Sequence, residues 1–123
     1  MTATTKPEIG ATAIANGIET NYLEDGSGDD TVLLIHGSGP GVTSYANWRL
    51  VIPALATKFR VIAPDMVGFG YSERPKDVDY GVQTWADQAI GLMDTLGIEK
   101  ASLVGNSFGG AIALRMATQH PER

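Results

Sequence analysis

The sequence predicts an α/β protein in which a β-hairpin is followed by three β-loop-α units, giving a mostly parallel sheet with helices on its faces. Three observations lead there. Short, continuous apolar runs recur at Thr31–His36, Phe59–Pro64 and Lys100–Gly105, and runs of that kind suit strands buried on both faces. Each is followed by a turn or loop and then by residues at helical spacing, and alternation of this sort means a parallel sheet. Ahead of them, two strand-like segments flank Asn16-Gly17, the strongest two-residue hairpin signal.

In chain order, residues 1–8 read as a flexible terminus and residues 9–123 as one α/β unit. Thr12–Ala15 and Ile18–Tyr22 form the hairpin, and the polar, glycine-rich stretch Glu24–Asp30 is a loop. After the first apolar strand comes His36-Gly37-Ser38-Gly39-Pro40-Gly41, which breaks it. Trp48, Val51, Ile52 and Leu55 have helical spacing between Thr43 and Lys58, and Pro53 inside that stretch kinks or splits the helix. The second strand ends at Asp65 and leads into a long glycine-rich loop, Met66–Gly81. Thr84 and Asp87 resemble a capping box with Asp in place of Glu. The helix they open carries Ala89, Ile90, Met93 and Leu96 on one face and stops at Gly97. The third strand leads into a helix from Phe108 to His120, stopped by Pro121. Trp48 and Trp85 read as core, and Arg74 as the partner of a nearby carboxylate.

Composition narrows the function classes. The 123 residues carry 9 basic and 14 acidic side chains, a net charge of −5, and 43% of them are hydrophobic. Those are the proportions of a folded globular chain. Lys and Arg are scattered singly, so neither nucleic acid nor a membrane surface is indicated as partner. With no cysteine, disulfides and thiolate metal sites are excluded, and no metal site is expected. No segment approaches the length of a membrane span, and the first ten residues hold no apolar signal core. A cytoplasmic location is the expectation.

Gly105-Asn106-Ser107-Phe108-Gly109 matches G-x-S-x-G, the nucleophile elbow. Such a turn takes a strand into a helix within a few residues and leaves the serine strained, with its hydroxyl projecting. Glycines two residues to either side are needed because a Cβ there would strike a neighbouring strand or helix. The helix N-terminus then offers unpaired N–H groups to an oxyanion. The pentapeptide is short enough to arise by chance, as a glycine-rich turn with a solvated serine. Its place between an apolar strand and an amphipathic helix is what gives it weight.

The glycine-rich turn at residues 36–41 admits a rival reading as a dinucleotide-binding turn, with Asp65 ending the next strand where a ribose-binding carboxylate would stand. Val42, however, occupies the place of the third fingerprint glycine, and Pro40 removes a donor from a loop whose task would be to donate. An oxyanion loop fits better: it lends one N–H while the residue after the nucleophile lends the other.

These motifs, about 70 residues apart, resemble the N-terminal half of the α/β-hydrolase fold. The wider match of HGSGPGVTSYANWR, VIAPDMVGFGYSERP, LVGNSFGG and HPER resembles the meta-cleavage product hydrolases of bacterial aromatic degradation, the 2-hydroxymuconate-semialdehyde type above all. It runs from about Pro7 to Arg123. The resemblance implies cofactor-free hydrolysis of a carbon–carbon bond in a 2-hydroxy-6-oxo-2,4-dienoate. Carried over residue by residue, it makes Ser107 the nucleophile and the backbone N–H groups of Ser38 and Phe108 the oxyanion hole. Asn47 and Asn106 would face the carboxylate and 2-hydroxyl end of the substrate, Gly37, Gly39 and Gly41 would let it approach the backbone, and Gly105 and Gly109 are the elbow glycines. Serine at position 107 counts against the dehalogenase and epoxide-hydrolase relatives, which use aspartate there.

The family order is Ser, then Asp, then His, and members run to roughly twice this length. The chain is therefore read as an N-terminal part, with the lid and the later triad residues absent. His120 lies 13 residues after Ser107, about 20 Å along a helix, too far to serve as its base. His36 and Asp65 are expected to brace the loops that follow their strands. A strand 100–105 without a further neighbour is an apolar edge that invites pairing with another chain, so a homo-oligomer is expected. The competing readings are an ester or lactone hydrolase on the same scaffold, and a catalytically inert binding module.

Overall fold

A computed structural model describes residues 6–123. Of the terminus expected to be flexible, residues 1–5 lie outside the described residues, and the Glu8 carbonyl accepts a hydrogen bond from Asn21 Nδ2 at 2.9 Å. Strands β1 (Ala11–Ala15) and β2 (Ile18–Asp25) form the hairpin. Asn16 and Gly17 both take positive φ, 51° and 79°, as a primed two-residue turn requires. Then follow β3 (Thr31–Ile35), α1 (Ser44–Trp48), α2 (Ile52–Leu55), β4 (Arg60–Pro64), α3 (Val82–Thr95), β5 (Ser102–Gly105) and α4 (Phe108–Gln119).

The strand order is β1-β2-β4-β3-β5. β3 lies between β4 and β5, parallel to both, while β2 runs antiparallel to β1 and to β4. Only β2 is therefore reversed, and the sheet is mostly parallel. The apolar strands alternate their residues between two cores. Leu33, Ile35 and Ile62 face α3 and α4 together with Leu92, Met93, Ile112 and Met116. Val32, Leu34, Val61 and Ala63 face the opposite layer with Trp48 and Ile52. Burial on both faces is why β3 and β4 read as unbroken apolar runs; β5, at the edge of the sheet, is half-exposed and does not share it. Both tryptophans are buried, Trp85 in the first cluster and Trp48 in the second.

The stretch from Thr43 to Lys58 is split rather than kinked. Thr43 caps α1, its Oγ1 accepting from the Ala46 N–H at 3.0 Å, and Pro53 falls in the first turn of α2, where its missing N–H has no helical partner to lose. α3 corrects the capping expectation. It starts at Val82 with the extended Gly81 as N-cap; the Thr84 hydroxyl donates to the Asp79 carbonyl at 2.6 Å, and Asp87 accepts from Gln83 Nε2 at 2.9 Å. The helix end behaves as the glycine signal predicts. Gly97 has φ 70°, Gly97 N–H reaches the Asp94 carbonyl at 3.2 Å and Ile98 N–H the Met93 carbonyl at 2.8 Å, the two bonds of a Schellman motif. No helix among the described residues is long and apolar enough to cross a membrane.

Candidate active site

Pairing of β3 with β5 decides where the site forms. Ile35 is level with Gly105, so the two strands end together and the loops leaving them lie side by side. Asn106 N–H continues the ladder to the Ile35 carbonyl at 3.0 Å. One residue further, Ser107 has φ 56° and ψ −112°, a conformation that costs a non-glycine residue about 1–3 kcal/mol. The exposed Ser107 is also the N-cap of α4. The turn is tight enough to exclude side chains on either side. A Cβ on Gly105 would lie 2.5 Å from Gly110 N, and one on Gly109 would lie 2.7 Å from the His36 carbonyl oxygen and nearer still to that of Ile35.

The loop after β3 lies directly against this elbow. A Cβ on Gly37 would meet the Asn106 carbonyl oxygen at 3.1 Å and Ser107 Cβ at 3.6 Å. Asn47 Oδ1 joins the two loops, accepting from Gly37 N–H at 2.8 Å and from Asn106 Nδ2 at 3.0 Å. Gly37, Asn47, Asn106 and Ser107 thus form one cluster. Both lone pairs of Asn47 Oδ1 are engaged in it, so only its amide N–H groups are left for a ligand. Among the described residues, neither the Ser38 nor the Phe108 backbone N–H has a protein acceptor. Gly39 has φ 145°, and a Cβ there would stand 3.3 Å from Val42 Cγ2.

His36 is fully buried and spans two loops. Its Nε2 accepts the Met66 N–H at 3.0 Å, which leaves Nδ1 to carry the proton and donate to the Gly37 carbonyl at 2.6 Å. Burial pushes this imidazole below its ordinary value of 6.5; the Gly37 hydrogen bond and the Asp65 charge oppose that shift and are smaller. The ring is therefore neutral, with its one acceptor nitrogen already used, and it cannot take a proton from Ser107 without losing Met66. His120 ends α4, at the far end of the helix from Ser107, and lies 3.8 Å from Glu122.

Asp65 holds the loop after β4. Its Oδ1 accepts from Ser44 N–H at 2.8 Å, and its Oδ2 from Asn21 Nδ2 and Tyr71 N–H, both at 2.9 Å. Gly70, at φ 54°, wraps so closely that a Cβ would stand 2.8 Å from Asp65 Oδ1 and closer to Oδ2. Arg74 corrects another expectation: among the described residues it pairs with no carboxylate, and its guanidinium donates to the carbonyls of Gly68 at 2.6 Å and Gly70 at 2.8 Å. A loop rich in positive-φ glycines turns carbonyls outward, and the guanidinium fork gathers two of them.

Sequence reasoning passed over Gln88. It is fully buried in α3, accepting from Val67 N–H at 2.7 Å through Oε1 and donating from Nε2 to Thr20 Oγ1 at 3.0 Å. The available signal was a polar side chain on the apolar face, three residues after Trp85 and four before Leu92.

A mostly parallel sheet with a strained serine between strand and helix, beside a glycine loop, defines an α/β hydrolase. The chain belongs to that family: the pattern described as alpha/beta hydrolase fold matches residues 30–123. Within it, the chain is similar to the 2-hydroxymuconate semialdehyde hydrolase of Pseudomonas sp. strain CF600, at 62% identity over 117 residues, 95% of this chain and 41% of that protein. It is 53% identical to a 2-hydroxy-6-oxo-2,4-heptadienoate hydrolase of Pseudomonas putida, over 94% of this chain and 42% of the relative. The crystal structure of a meta-cleavage product hydrolase from Pseudomonas fluorescens IP01 superposes with a TM-score of 0.93 at 54% identity, covering 96% of this chain and 43% of that one. The chain spans about two fifths of the length of these relatives.

Proposed function

We propose that the chain carries the nucleophile and the oxyanion hole of a serine hydrolase that cleaves a carbon–carbon bond in 2-hydroxy-6-oxo-2,4-dienoates. The observation that carries this is the strained Ser107 at φ 56°, held beside the Gly37 loop by the level ends of β3 and β5. The substrate class comes from the relatives' names.

Ketonisation moves the enol proton to C5 and leaves a C2 carbonyl conjugated with C3=C4, so that electrons released from the C5–C6 bond can pass through C3=C4 to the C2 oxygen. Ser107 Oγ adds to C6 as its hydroxyl proton passes to solvent water, and the oxyanion formed there accepts from the Ser38 and Phe108 amides. The C5–C6 bond then breaks with its electrons returning into the dienoate, and water hydrolyses the acyl ester to a small acid. No cofactor enters these steps. Gly37 and Gly39 let the substrate approach the backbone, and the free amide hydrogens of Asn47 and Asn106 face its carboxylate end. No aspartate follows Ser107 in this sequence, and the one histidine that does is His120. Neither His36 nor His120 is placed to take the Ser107 proton, so these 123 residues by themselves are expected to work slowly, on the oxyanion hole and binding alone. We place it in the cytoplasm as a homo-oligomer acting on a small molecule, with no nucleic acid or membrane partner.

The test follows the loss of the coloured dienol in the presence of the chain and of Ser107→Ala. Slow consumption that the substitution abolishes is the expected result. Hydrolysis of nitrophenyl esters with no dienol consumption would replace this reading by an ester or lactone hydrolase. Absence of both activities, with no labelling of Ser107 by a fluorophosphonate, would leave a binding module.

A further inference from the structure

We infer that Gln88, buried in α3 and remote from the reacting atoms, is a positioning residue that sets the direction of the Ser38 N–H through Met66, His36 and the Gly37 carbonyl; this rests on the proposed role of that N–H in the oxyanion hole. The hydrogen bonds form one directed chain. Thr20 Oγ1 and Val67 N–H hold the two ends of the Gln88 amide, at 3.0 and 2.7 Å. Gln88 Nε2 also reaches the Asp65 carbonyl at 3.4 Å, so the side chain grips Asp65 and Val67, the residues on either side of Met66. Met66 N–H in turn donates to His36 Nε2 at 3.0 Å, and this requires the proton of the neutral ring to be on Nδ1. That proton goes to the Gly37 carbonyl at 2.6 Å.

The last step is covalent geometry. The Gly37 carbonyl and the Ser38 N–H belong to one planar trans peptide, so they point in opposite directions. Fixing the oxygen on His36 fixes the N–H on the other side, and Asn47 secures the preceding amide, Gly37 N–H, at 2.8 Å. With the other tautomer, Nδ1 would present a lone pair to the Gly37 oxygen; the peptide would turn and carry the Ser38 N–H away from the oxyanion. Gln88 biases the choice by helping to hold the Met66 amide where only an acceptor nitrogen can meet it, alongside the Trp85 indole on the Val67 carbonyl at 2.9 Å and the Ser72 hydroxyl on the Asp65 carbonyl at 2.5 Å. The groups facing His36 are Asp65 at the end of β4, whose charge acts on the ring, and the edge-on ring of Phe69 at 5.1 Å.

The experiment compares the chain with Gln88→Leu, which removes both polar ends, and with Gln88→Glu, which keeps the acceptor for Val67 N–H. Imidazole 15N resonances of His36 report the tautomer, the Ser38 amide resonance reports the peptide, and dienol turnover gives kcat and KM. The expected result for Gln88→Leu is appearance of the Nε2–H tautomer, a shifted Ser38 amide, and a loss of about 10- to 100-fold in kcat with KM little changed. Gln88→Glu should recover most of the tautomer and most of kcat. A folded Gln88→Leu that keeps the Nδ1–H ring and an unshifted Ser38 amide overturns the inference, and so does an altered tautomer with unchanged kcat. If Gln88→Leu does not fold, Gln88→Glu decides by the same resonances set against Thr20→Val, which removes only the outer partner. If the unsubstituted chain turns over no dienol, the functional reading fails while the resonances still decide the role of Gln88.

Discussion

His36 has two ring nitrogens and two backbone partners, and together they admit a single protonation state. Protonation would put a second N–H against the Met66 N–H, 3.0 Å away, and burial already holds the pKa below 6.5. The sign of the resulting pH dependence follows from linkage. The unfolded chain binds this proton more readily than the folded one, so the contribution to stability is complete above pH about 6.5 and is lost as the pH falls from there toward the lower folded value. The slope in that window is at most about 1.4 kcal/mol per pH unit. Urea midpoints between pH 7.5 and about 5 should show it, and His36→Gln should remove it. Asp65 is the other residue whose neighbours define it. Expected only to brace its loop, it receives donors from three separate segments, at Ser44, Asn21 and Tyr71.

Glycines join the elements of this fold, and they are required for different reasons. Gly97 takes positive φ to end α3 and has open space around it. Gly109 has ordinary helical geometry, but its Cα lies against the backbone of β3. Gly109→Ala should therefore act through steric collision: backbone oxygens of Ile35 and His36 cannot rotate aside. A destabilisation of about 3 kcal/mol is expected, read as a lowered thermal midpoint, together with movement of the Gly37 loop. The helix boundaries show where local signals fail. Thr84 and Asp87 have capping-box spacing, yet the extended backbone at Gly81 lets α3 start earlier, and the Thr84 hydroxyl turns back to Asp79. Pro53, by contrast, acts locally through its own ring and missing N–H, so the split between α1 and α2 was legible.

At the scale of the molecule, the sheet ends at β5, which among the described residues is hydrogen-bonded only to β3. Val104 on this edge is 40% exposed, and Leu114 on the adjoining face of α4 is 69% exposed. Beside them, Leu103, Ala113, Ile90 and Met93 line an apolar groove of about 600 Å³. An unpaired apolar strand end is a template for pairing, so the 123-residue chain should self-associate in solution. Light scattering should give a mass above the 13.0 kDa of one chain, and Val104→Lys should shift it toward the monomer. A monodisperse monomer before substitution would overturn this expectation.

The strands, the hairpin, the elbow pentapeptide and the glycine loop were all determined by the sequence alone, because each depends on residues within a few positions of one another: apolar runs, Asn16-Gly17, and glycines at fixed offsets from a serine. The family resemblance likewise marked His36 as a brace of the oxyanion loop, and Asp65, which ends its strand, read as the anchor of the loop after it. Only the tertiary structure decided what they brace. Strand order and the level ends of Ile35 and Gly105 bring the Gly37 loop to Ser107 across about 70 residues of chain. Gln88, Thr20 and Asn21 join the site from elements that carry no motif. Arg74 found carbonyls where a carboxylate was expected, because loop conformation sets which groups face outward. A buried hydrogen bond is specified by two partners, and the sequence pattern around either one alone does not contain the other.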